Sequence, residues 1–327
     1  MYDGKRMSND LRFLAPFEKE LIEPAGSLLV IRPTDSMGLS DFEGVTIEQG
    51  FYPAAKALEG AGFAVSARAE GRFGMVLVNL TRAKAENLAN IARACAMSDG
   101  LVLVNGAKKD GIESLLKAVK KITSVQVLSK SHGKVFWFEA AQMPPEWLAA
   151  GEISANKDGF KTAPGMFSSE KVDVGSTLLA PYLEGLKGRV ADLGAGWGWL
   201  AAQALGPDVL EMVLFEAEHK AVEAAKLNLD DERVRFEWAD ALALPKQLPF
   251  DVVISNPPFH QTRTAEPSLG VGFIQAAAKL LKPKGRLLMV ANRQLPYERA
   301  LEGAFRKVEM LRQTNGFKLF EASHPKR

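Results

Sequence analysis

Val190-Ala-Asp-Leu-Gly-Ala-Gly-Trp-Gly198 is the stretch whose reading decides the fold. The apolar run from Arg189 to Leu193 predicts a buried strand, and a helix is expected from about Trp199 to Ala204. Between them, glycines at 194, 196 and 198 let the backbone turn sharply and approach a ligand where a Cβ would collide. Spacing then narrows the ligand. A dinucleotide site wants G-x-G-x-x-G, which counted from Gly194 puts the third glycine at 199, where Trp199 stands. The spacing here is G-x-G-x-G, one residue shorter, with Asp192 two residues before the first glycine. That argues against NAD and flavin. No Gly-Lys-Ser/Thr follows, so the Walker pattern fails too.

The next expected strand, Glu211 to Phe215, ends at Glu216, 24 residues after Asp192. An acid at that strand tip accepts hydrogen bonds from both ribose hydroxyls in dinucleotide folds. A nucleoside without a pyrophosphate is therefore implied. Glu218 competes for the role. Asp240 follows the third strand, Val234 to Trp238, as a candidate to face an adenine amino group; Asp230 and Asp231 show that acids are common here, so an ordinary surface role stays open.

Val252-Val-Ile-Ser-Asn-Pro-Pro-Phe259 is the most specific feature downstream. A buried strand ends abruptly, and two prolines remove two N–H donors and stiffen the turn. The acceptors that remain are the Asn256 side-chain oxygen and the Pro257 carbonyl. Together they suit an exocyclic NH₂ whose lone pair is delocalised. Two acceptors orient it, favour pyramidal geometry and stabilise the positive charge that develops as it attacks. Pro258 holds the turn and Phe259 offers a ring for a planar base, worth ~1–3 kcal/mol in nucleic-acid systems. His260 is as easily a bystander as a contact. No Ser-His-Asp or metal-ligand spacing is visible, and no metal is expected.

Composition fits this reading. At 327 residues the chain is long enough for about two domains on a prior of roughly 150 residues each. Hydrophobic residues at 47% and charged residues at 24% are near the globular average, which argues against disorder, collagen or a coiled coil. The longest apolar runs, such as Leu101–Val104 and Leu287–Val290, fall far short of the ~20 residues of a membrane-spanning helix. The sequence from Met1 leads into no apolar signal core, and the one cysteine, Cys95, makes neither an internal disulfide nor a multi-Cys zinc site. A cytoplasmic location without membrane attachment is expected. The net charge of +2 hides two basic regions: a local +8 from Lys279 onward and a local +5 from Asn105 to Lys134, the latter including Lys117, Lys120 and Lys121. Solvated helix faces explain a lone run of this kind; two in one chain make a polyanionic partner more credible.

Both halves read as alternating strands and helices, which implies mostly parallel sheets. In the first, strands are expected at Met75–Asn79, Leu101–Val104, Val125–Leu128 and Val135–Phe138, with helices from a Thr81 cap through about Ala96 and from Ile112 to Ile122. In the second, helices are expected at Ser176–Leu186, Lys220–Asn228 and Val271–Leu281, strands at Asp251–Ser255 and Arg286–Ala291, and a closing hairpin, Val308–Gln313 and Phe317–Ala322, around Asn315-Gly316. Pro144-Pro145, Gly151, Gly159 and Pro164-Gly165 place the boundary near 150–160, giving domains of 1–155 and 156–327. Two α/β halves are consistent with an old duplication, but the first lacks both motifs, so at most one half is expected to be catalytic.

Asp192–Gly198 and Asn256–Phe259 together resemble the cofactor and catalytic motifs of class I S-adenosylmethionine-dependent N-methyltransferases. Pro164-Gly-Met-Phe-Ser168, Asp173-Val-Gly-Ser176, Asn256-Pro-Pro-Phe-His260, Val290-Ala-Asn-Arg293 and Leu295-Pro-Tyr297 resemble, more narrowly, the bacterial rRNA small-subunit methyltransferase C family, which methylates guanine N2. The similarity covers about 161–327; the first half resembles that family's non-catalytic domain only in its α/β pattern. The resemblance implies a Rossmann-like class I methyltransferase domain with a seven-stranded, mostly parallel sheet, preceded by a smaller degenerate methyltransferase-like α/β domain that binds or positions RNA. It implies S-adenosylmethionine as cofactor, S-adenosylhomocysteine as product, and ribosomal RNA or an assembled ribosomal subunit as partner of a monomer.

On that resemblance, Gly194, Ala195, Gly196 and Gly198 admit the methionine part, Asp192 helps hold its ammonium, and Glu216 takes the ribose diol. Asp240 and Ala241 lie by the adenine, and Phe167 belongs to a loop near the cofactor. Asn256 also counts among the cofactor contacts; the target guanine leaves its stack, Asn256 and Pro257 hold N2, and Phe259 stacks. Arg263 and Arg293 are candidates for phosphate contact, with plain surface charge the equal alternative. Other readings stay open: a guanine of large-subunit rRNA, a protein glutamine amide (whose usual aromatic is Tyr rather than Phe259), a non-catalytic RNA-binding assembly factor, and, third in rank, an oxidoreductase.

Overall fold

The computed structural model describes residues 11–24, 26–258 and 267–326. The chain divides into two compact units: Met1–Ile153 with Ala163–Gly165, and Ser154–Thr162 with Met166–Arg327.

In the first unit, strands β1 (Leu28–Ile31), β2 (Val45–Glu48), β3 (Ala64–Ser66), β4 (Phe73–Asn79), β5 (Ser98–Ala107), β6 (Gln126–Lys130) and β7 (Gly133–Glu139) form one seven-stranded sheet in the order β3-β2-β1-β4-β5-β7-β6. Its first five strands run parallel and β7 is antiparallel to both β5 and β6. All four residues of β1 are buried, as expected of a central strand covered on both faces. Side-chain alternation sends Leu29 and Ile31 to one core and Leu28 and Val30 to the other. Helices α1 (Tyr52–Gly60), α2 (Lys84–Met97) and α3 (Ile112–Val119) lie between strands in the chain.

The second unit opens on a small ladder, β8 (Ser154–Ala155) against β9 (Lys161–Thr162). Its main sheet holds β10 (Gly188–Leu193), β11 (Val209–Glu216), β12 (Val234–Trp238), β13 (Phe250–Ser255), β14 (Leu281–Asn292), β15 (Phe305–Gln313) and β16 (Phe317–Pro325), in the order β12-β11-β10-β13-β14-β16-β15. Helices α4 (Val174–Leu179), α5 (Trp199–Ala204), α6 (His219–Asn228), α7 (Pro267–Leu280) and α8 (Glu298–Ala304) complete it. Ala191, Leu193, Val213 and Phe215 pack into one core, and Val190, Met212 and Leu214 into the other. The two sheets thus share one topology, with strand order reversing at β1/β4 and at β10/β13.

The expected elements recur with different ends. β1, β2 and β3 went unread because each has only three or four residues, too few to establish a period. The helix expected to begin at a Thr81 cap starts at Lys84; Thr81 instead donates from its hydroxyl to Glu86 and binds the Asn87 side chain, bracing the turn before the helix. The helix expected over Ser176–Leu186 begins two residues earlier, because Asp173 caps it, and ends at Leu179 ahead of Pro181. The hairpin forms as expected, with β15 antiparallel to β16.

Glu48, at the end of β2, is buried and receives both guanidinium nitrogens of Arg93 at 2.7 and 2.6 Å as well as the Ala69 N–H at 2.8 Å. Glu48→Ala leaves a largely buried Arg93 unpaired and is expected to destabilise the first unit by about 3–5 kcal/mol in denaturant titration; a loss under 1 kcal/mol would show that water reaches the pair freely.

Candidate active site

β10 and β13 are parallel neighbours, with Asp192 opposite Ile254 and Leu193 opposite Ser255. The glycine turn and the Asn-Pro-Pro turn therefore leave the sheet side by side, at its carboxyl end and at the point where strand order reverses. This is where open α/β sheets form a ligand crevice. A Cβ built on Gly194 would lie 3.9 Å from the Pro258 ring and 3.1 Å from Phe273, so the two turns share one space. The Gly194 and Ala195 N–H groups both donate to the Phe215 carbonyl, tying the turn to β11. Gly194, Gly196 and Gly198 all have positive φ, at 71°, 56° and 87°. They differ in surroundings. Gly198 packs against Leu229 and Ala225, whereas a Cβ on Gly196 meets nothing within 4 Å. The open space lies at Gly196.

Two acids border it. Asp192 is 0% exposed, and neither carboxylate oxygen has a hydrogen-bond partner. Burial, first, and the neighbouring Glu216 charge, second, push its pKa up to about 8; the Ala201 backbone N–H offsets them in part without reaching hydrogen-bond geometry. Glu216, at the end of β11, accepts the Gly196 N–H at 2.8 Å and the Glu218 N–H at 2.7 Å, and burial raises its pKa as well. An uncompensated acid beside a cradle that a Cβ would fill suits a ligand that brings a cation and hydroxyl donors. S-adenosylmethionine, with an ammonium and a ribose diol, fits these residues.

The remaining expected cofactor residues lie on loops tied to β11 and to the glycine turn. Asp240 follows β12 and uses Oδ1 to accept the Leu242 N–H at 2.9 Å, in a short turn that also buries Ala241. Phe167 is 57% exposed, and its carbonyl accepts the Trp197 indole N–H at 3.1 Å, which links its loop to the glycine turn. Trp197 was not singled out in the sequence, since nothing in the spacing separates a tethering indole from a core one.

Asn256 is 9% exposed. Its Nδ2 donates to Asp173 Oδ2 and to Ser176 Oγ, both at 2.8 Å, while its Oδ1 is buried without a partner. Ser255 donates its hydroxyl to the Leu193 carbonyl at 2.7 Å, clamping the ends of β13 and β10 together. Pro257 is buried and Pro258 exposed. Phe259, His260 and Arg263 lie outside the described residues. Asp173 and Ser176 carried no expected role; the readable signal was a helix-cap pattern, an Asp three residues before a Ser.

The basic candidates sit at the surface. Lys117, Lys120 and Lys121, on α3 and just after it, are exposed and have no ion-pair partner among the described residues. Elsewhere positive charge is partly cancelled, as in Lys134–Glu113, Lys282–Asp251, Arg286–Glu321 and Lys318–Glu298. Arg293 is exposed one residue beyond β14, at the carboxyl end of the sheet. Among the described residues no cluster of three or more His, Cys, Asp or Glu is placed to hold a metal, and no helix is long and apolar enough to cross a membrane.

The first unit repeats this backbone with different chemistry. Ile31 pairs with Glu48 and Val78 as Leu193 pairs with Phe215 and Ser255. Register therefore puts Arg32 in the place of Gly194 and Asn79 in the place of Asn256. Arg32 has φ 60°, and its N–H donates to the Glu48 carbonyl as that of Gly194 does to Phe215. Its guanidinium reaches Glu86 and Gln49, so the residue in the Gly194 position is a cation held by its own neighbours. Asn79 is engaged at both ends, by the Ile31 carbonyl and the Asn105 amide. One cofactor per chain is expected in calorimetric titration; two would overturn this contrast. Gly196→Val should abolish that single event by filling the open space, and unchanged affinity would remove the turn from the cofactor site.

The methyltransferase small domain family matches residues 157–321. Ribosomal RNA small subunit methyltransferase C of Shewanella sp. (strain MR-4) is 30% identical over 265 residues, covering 77% of this chain and 77% of that protein. The protein of the same name from Acinetobacter baumannii (strain ATCC 17978) is 29% identical over 259 residues, covering 73% and 76%. Among solved structures, the T. thermophilus 16S rRNA N2 G1207 methyltransferase in complex with AdoMet and guanosine superposes with a TM-score of 0.77 over 96% of this chain and 91% of that one; at 23% identity this likeness speaks for the fold. With half of its length matched by the domain family and a relative at 30% identity spanning three quarters of both proteins, the chain belongs to the methyltransferase small domain family and, within it, to the ribosomal RNA small subunit methyltransferase C group.

Proposed function

We propose that this protein transfers a methyl group from S-adenosylmethionine to the exocyclic N2 amine of a guanine in small-subunit ribosomal RNA. The observation that carries the proposal is the Asn256 carbonyl oxygen, a buried acceptor without a partner, on a turn that leaves the sheet beside the glycine turn. The cofactor supplies an electrophilic methyl on a sulfonium, so the protein needs to position rather than activate. Asp192 neutralises the ammonium, Glu216 accepts the ribose hydroxyls, and Asp240 and Ala241 border the adenine. Ala195 and Gly196 leave room for the methionine part, and Phe167 lies over the mouth. Asn256 Oδ1 and the Pro257 carbonyl accept the two N–H bonds of the amine, with Pro258 and Phe259 shaping the pocket for the flipped base. As the amine attacks the methyl, the methyl–sulfur bond breaks and the amine gains positive charge, which both acceptors stabilise until one of its protons passes to water.

The part up to residue 155 serves as a non-catalytic positioning domain that holds RNA through Lys117, Lys120 and Lys121, and residues 156–327 carry the reaction. Arg263 and Arg293 take phosphates near the target. The substrate is ribosomal RNA or the small subunit, and the protein acts as a cytoplasmic monomer.

Incubating the protein with labelled cofactor and undermethylated small subunits, then analysing nucleosides by mass, is expected to yield N2-methylguanine. Label appearing only in release factor, or only in large-subunit RNA, would reverse the assignment. Asn256→Ala should lower turnover by about 10²–10³-fold, the scale for one preorganised hydrogen bond, with cofactor affinity unchanged; equal turnover would remove its role.

Asp192 adds a pH signature. Its folded pKa of about 8 stands above the ordinary aspartate value of 3.8, so its contribution to the ligand-free fold is fully present below pH 4 and is lost as pH rises through 8. An ammonium beside it favours the ionised form, so cofactor binding at pH 7 should release up to one proton. Calorimetry in buffers of different ionisation enthalpy reads this release, and Asp192→Asn should abolish it.

A further inference from the structure

We infer that Asp173 and Ser176 are positioning residues that fix the polarity of the Asn256 amide, so that its carbonyl rather than its NH₂ faces the substrate amine. The inference rests on the methyl-transfer reading above. An asparagine amide fits its cavity almost equally well in two orientations related by exchange of oxygen and nitrogen, and only its partners choose between them. The choice is decisive here. One orientation offers an acceptor to an incoming NH₂; the other offers a donor against a donor and stabilises no positive charge.

The geometry makes the choice through Asp173. An ionised carboxylate only accepts hydrogen bonds, so the group facing Asp173 Oδ2 at 2.8 Å must be the amide NH₂. Turned the other way, the amide would bring its own oxygen against that carboxylate at the same short range. Ser176 Oγ, also 2.8 Å from Asn256 Nδ2, takes the second amide hydrogen. A hydroxyl both donates and accepts, so Ser176 supports the orientation without dictating it. With both hydrogens engaged, Oδ1 is the one atom of the amide left without a partner, and it is buried.

The carboxylate is itself held in place. Asp173 Oδ2 accepts the Ser176 backbone N–H at 2.9 Å as the cap of α4. A Cβ on Gly175 would approach that same oxygen to 2.9 Å and the Phe317 ring to 2.9 Å, so the residue between cap and hydroxyl leaves the carboxylate its position. One short helix start thus carries the cap, the polarity determinant and the second acceptor.

The cap and the positioning role separate by substitution. In Asp173→Ser, the hydroxyl still caps α4, since Ser is as good a cap as Asp, but its oxygen sits one bond closer to the backbone and falls short of Asn256. Asp173→Asn presents an amide oxygen at full length and can accept from both groups. Ser176→Ala keeps the backbone N–H that the cap needs and removes only the hydroxyl. We expect turnover on undermethylated small subunits to fall about 10–100-fold in Asp173→Ser and several-fold in Ser176→Ala, with cofactor affinity and thermal midpoint unchanged. Asp173→Asn should recover most of the loss. In an Asn256→Ala background, Asp173→Ser should cost nothing further, because the group it orients is gone. Wild-type turnover in Asp173→Ser, a loss in Asp173→Asn equal to that in Asp173→Ser, or full additivity with Asn256→Ala would each overturn the inference. The wild-type protein in the same assay separates this outcome from the larger one. No methylated guanine from the wild type overturns the functional proposal, whereas normal wild-type product with an indifferent Asp173→Ser overturns only the positioning role.

Discussion

A buried carboxylate with no partner is the constraint around which the catalytic unit is arranged. Asp192 is the penultimate residue of a central strand, fully enclosed, with the Glu216 carboxylate nearby and no cation of the protein's own paired with it. Burying one charge without compensation costs several kcal/mol, and two acids cost more. The ligand-free protein lowers that cost by keeping Asp192 protonated near neutral pH. A cationic ligand restores the charge and supplies the missing partner, so part of its affinity is drawn from strain already in the fold. The same energy is unavailable to a neutral ligand, which makes the arrangement a source of selectivity as well as of affinity.

Register explains why the opposite requirement is met a few ångströms away. Leu193 pairs with Ser255, and the Ser255 hydroxyl closes the gap to the Leu193 carbonyl, so the acid-rimmed turn and the Asn256 turn hold a constant separation. One side waits for a positive charge already present in the ligand. On the proposed reading, the other, the unpaired oxygen of Asn256, meets positive charge that appears only as an amine is alkylated. The chemistry reduces to placing acceptors of fixed orientation in a water-poor crevice, where they are worth more than in solvent and need no reorganisation.

Much of this was legible in the residues, and the misses have physical causes. The G-x-G-x-G spacing, Asp192, Glu216 and the double proline after Asn256 are local signals: each needs only its own turn to be read. Two seven-stranded sheets were half legible. β10 to β14 announce themselves as apolar runs, but β1, β2 and β3 are too short to show a period, and so is the seven-residue α8. Asp173 was hidden for a different reason. Its cap pattern is local, but its contact with Asn256 spans 83 residues and exists only once α4 is docked beside β13. Arg32 was hidden likewise, because its correspondence to Gly194 is a matter of sheet register and not of sequence similarity.

The first unit gives the contrast that ties these observations together. It has the same strand order, the same reversal point and the same positive-φ residue after the first central strand, bonded through its N–H to the same neighbouring position. What differs is where the cation comes from. Arg32 brings one permanently at the position of Gly194, and Glu86 and Gln49 bind it, whereas the second unit has glycine there and open space two residues on, at Gly196. Asn79 likewise spends both ends of its amide on neighbours, where Asn256 keeps its oxygen. A crevice whose charges and hydrogen bonds are satisfied internally has fewer groups left to offer a ligand. Binding and catalysis in this fold therefore follow from the groups the chain leaves unsatisfied, and the two units show the same backbone with that deficit closed in one and preserved in the other.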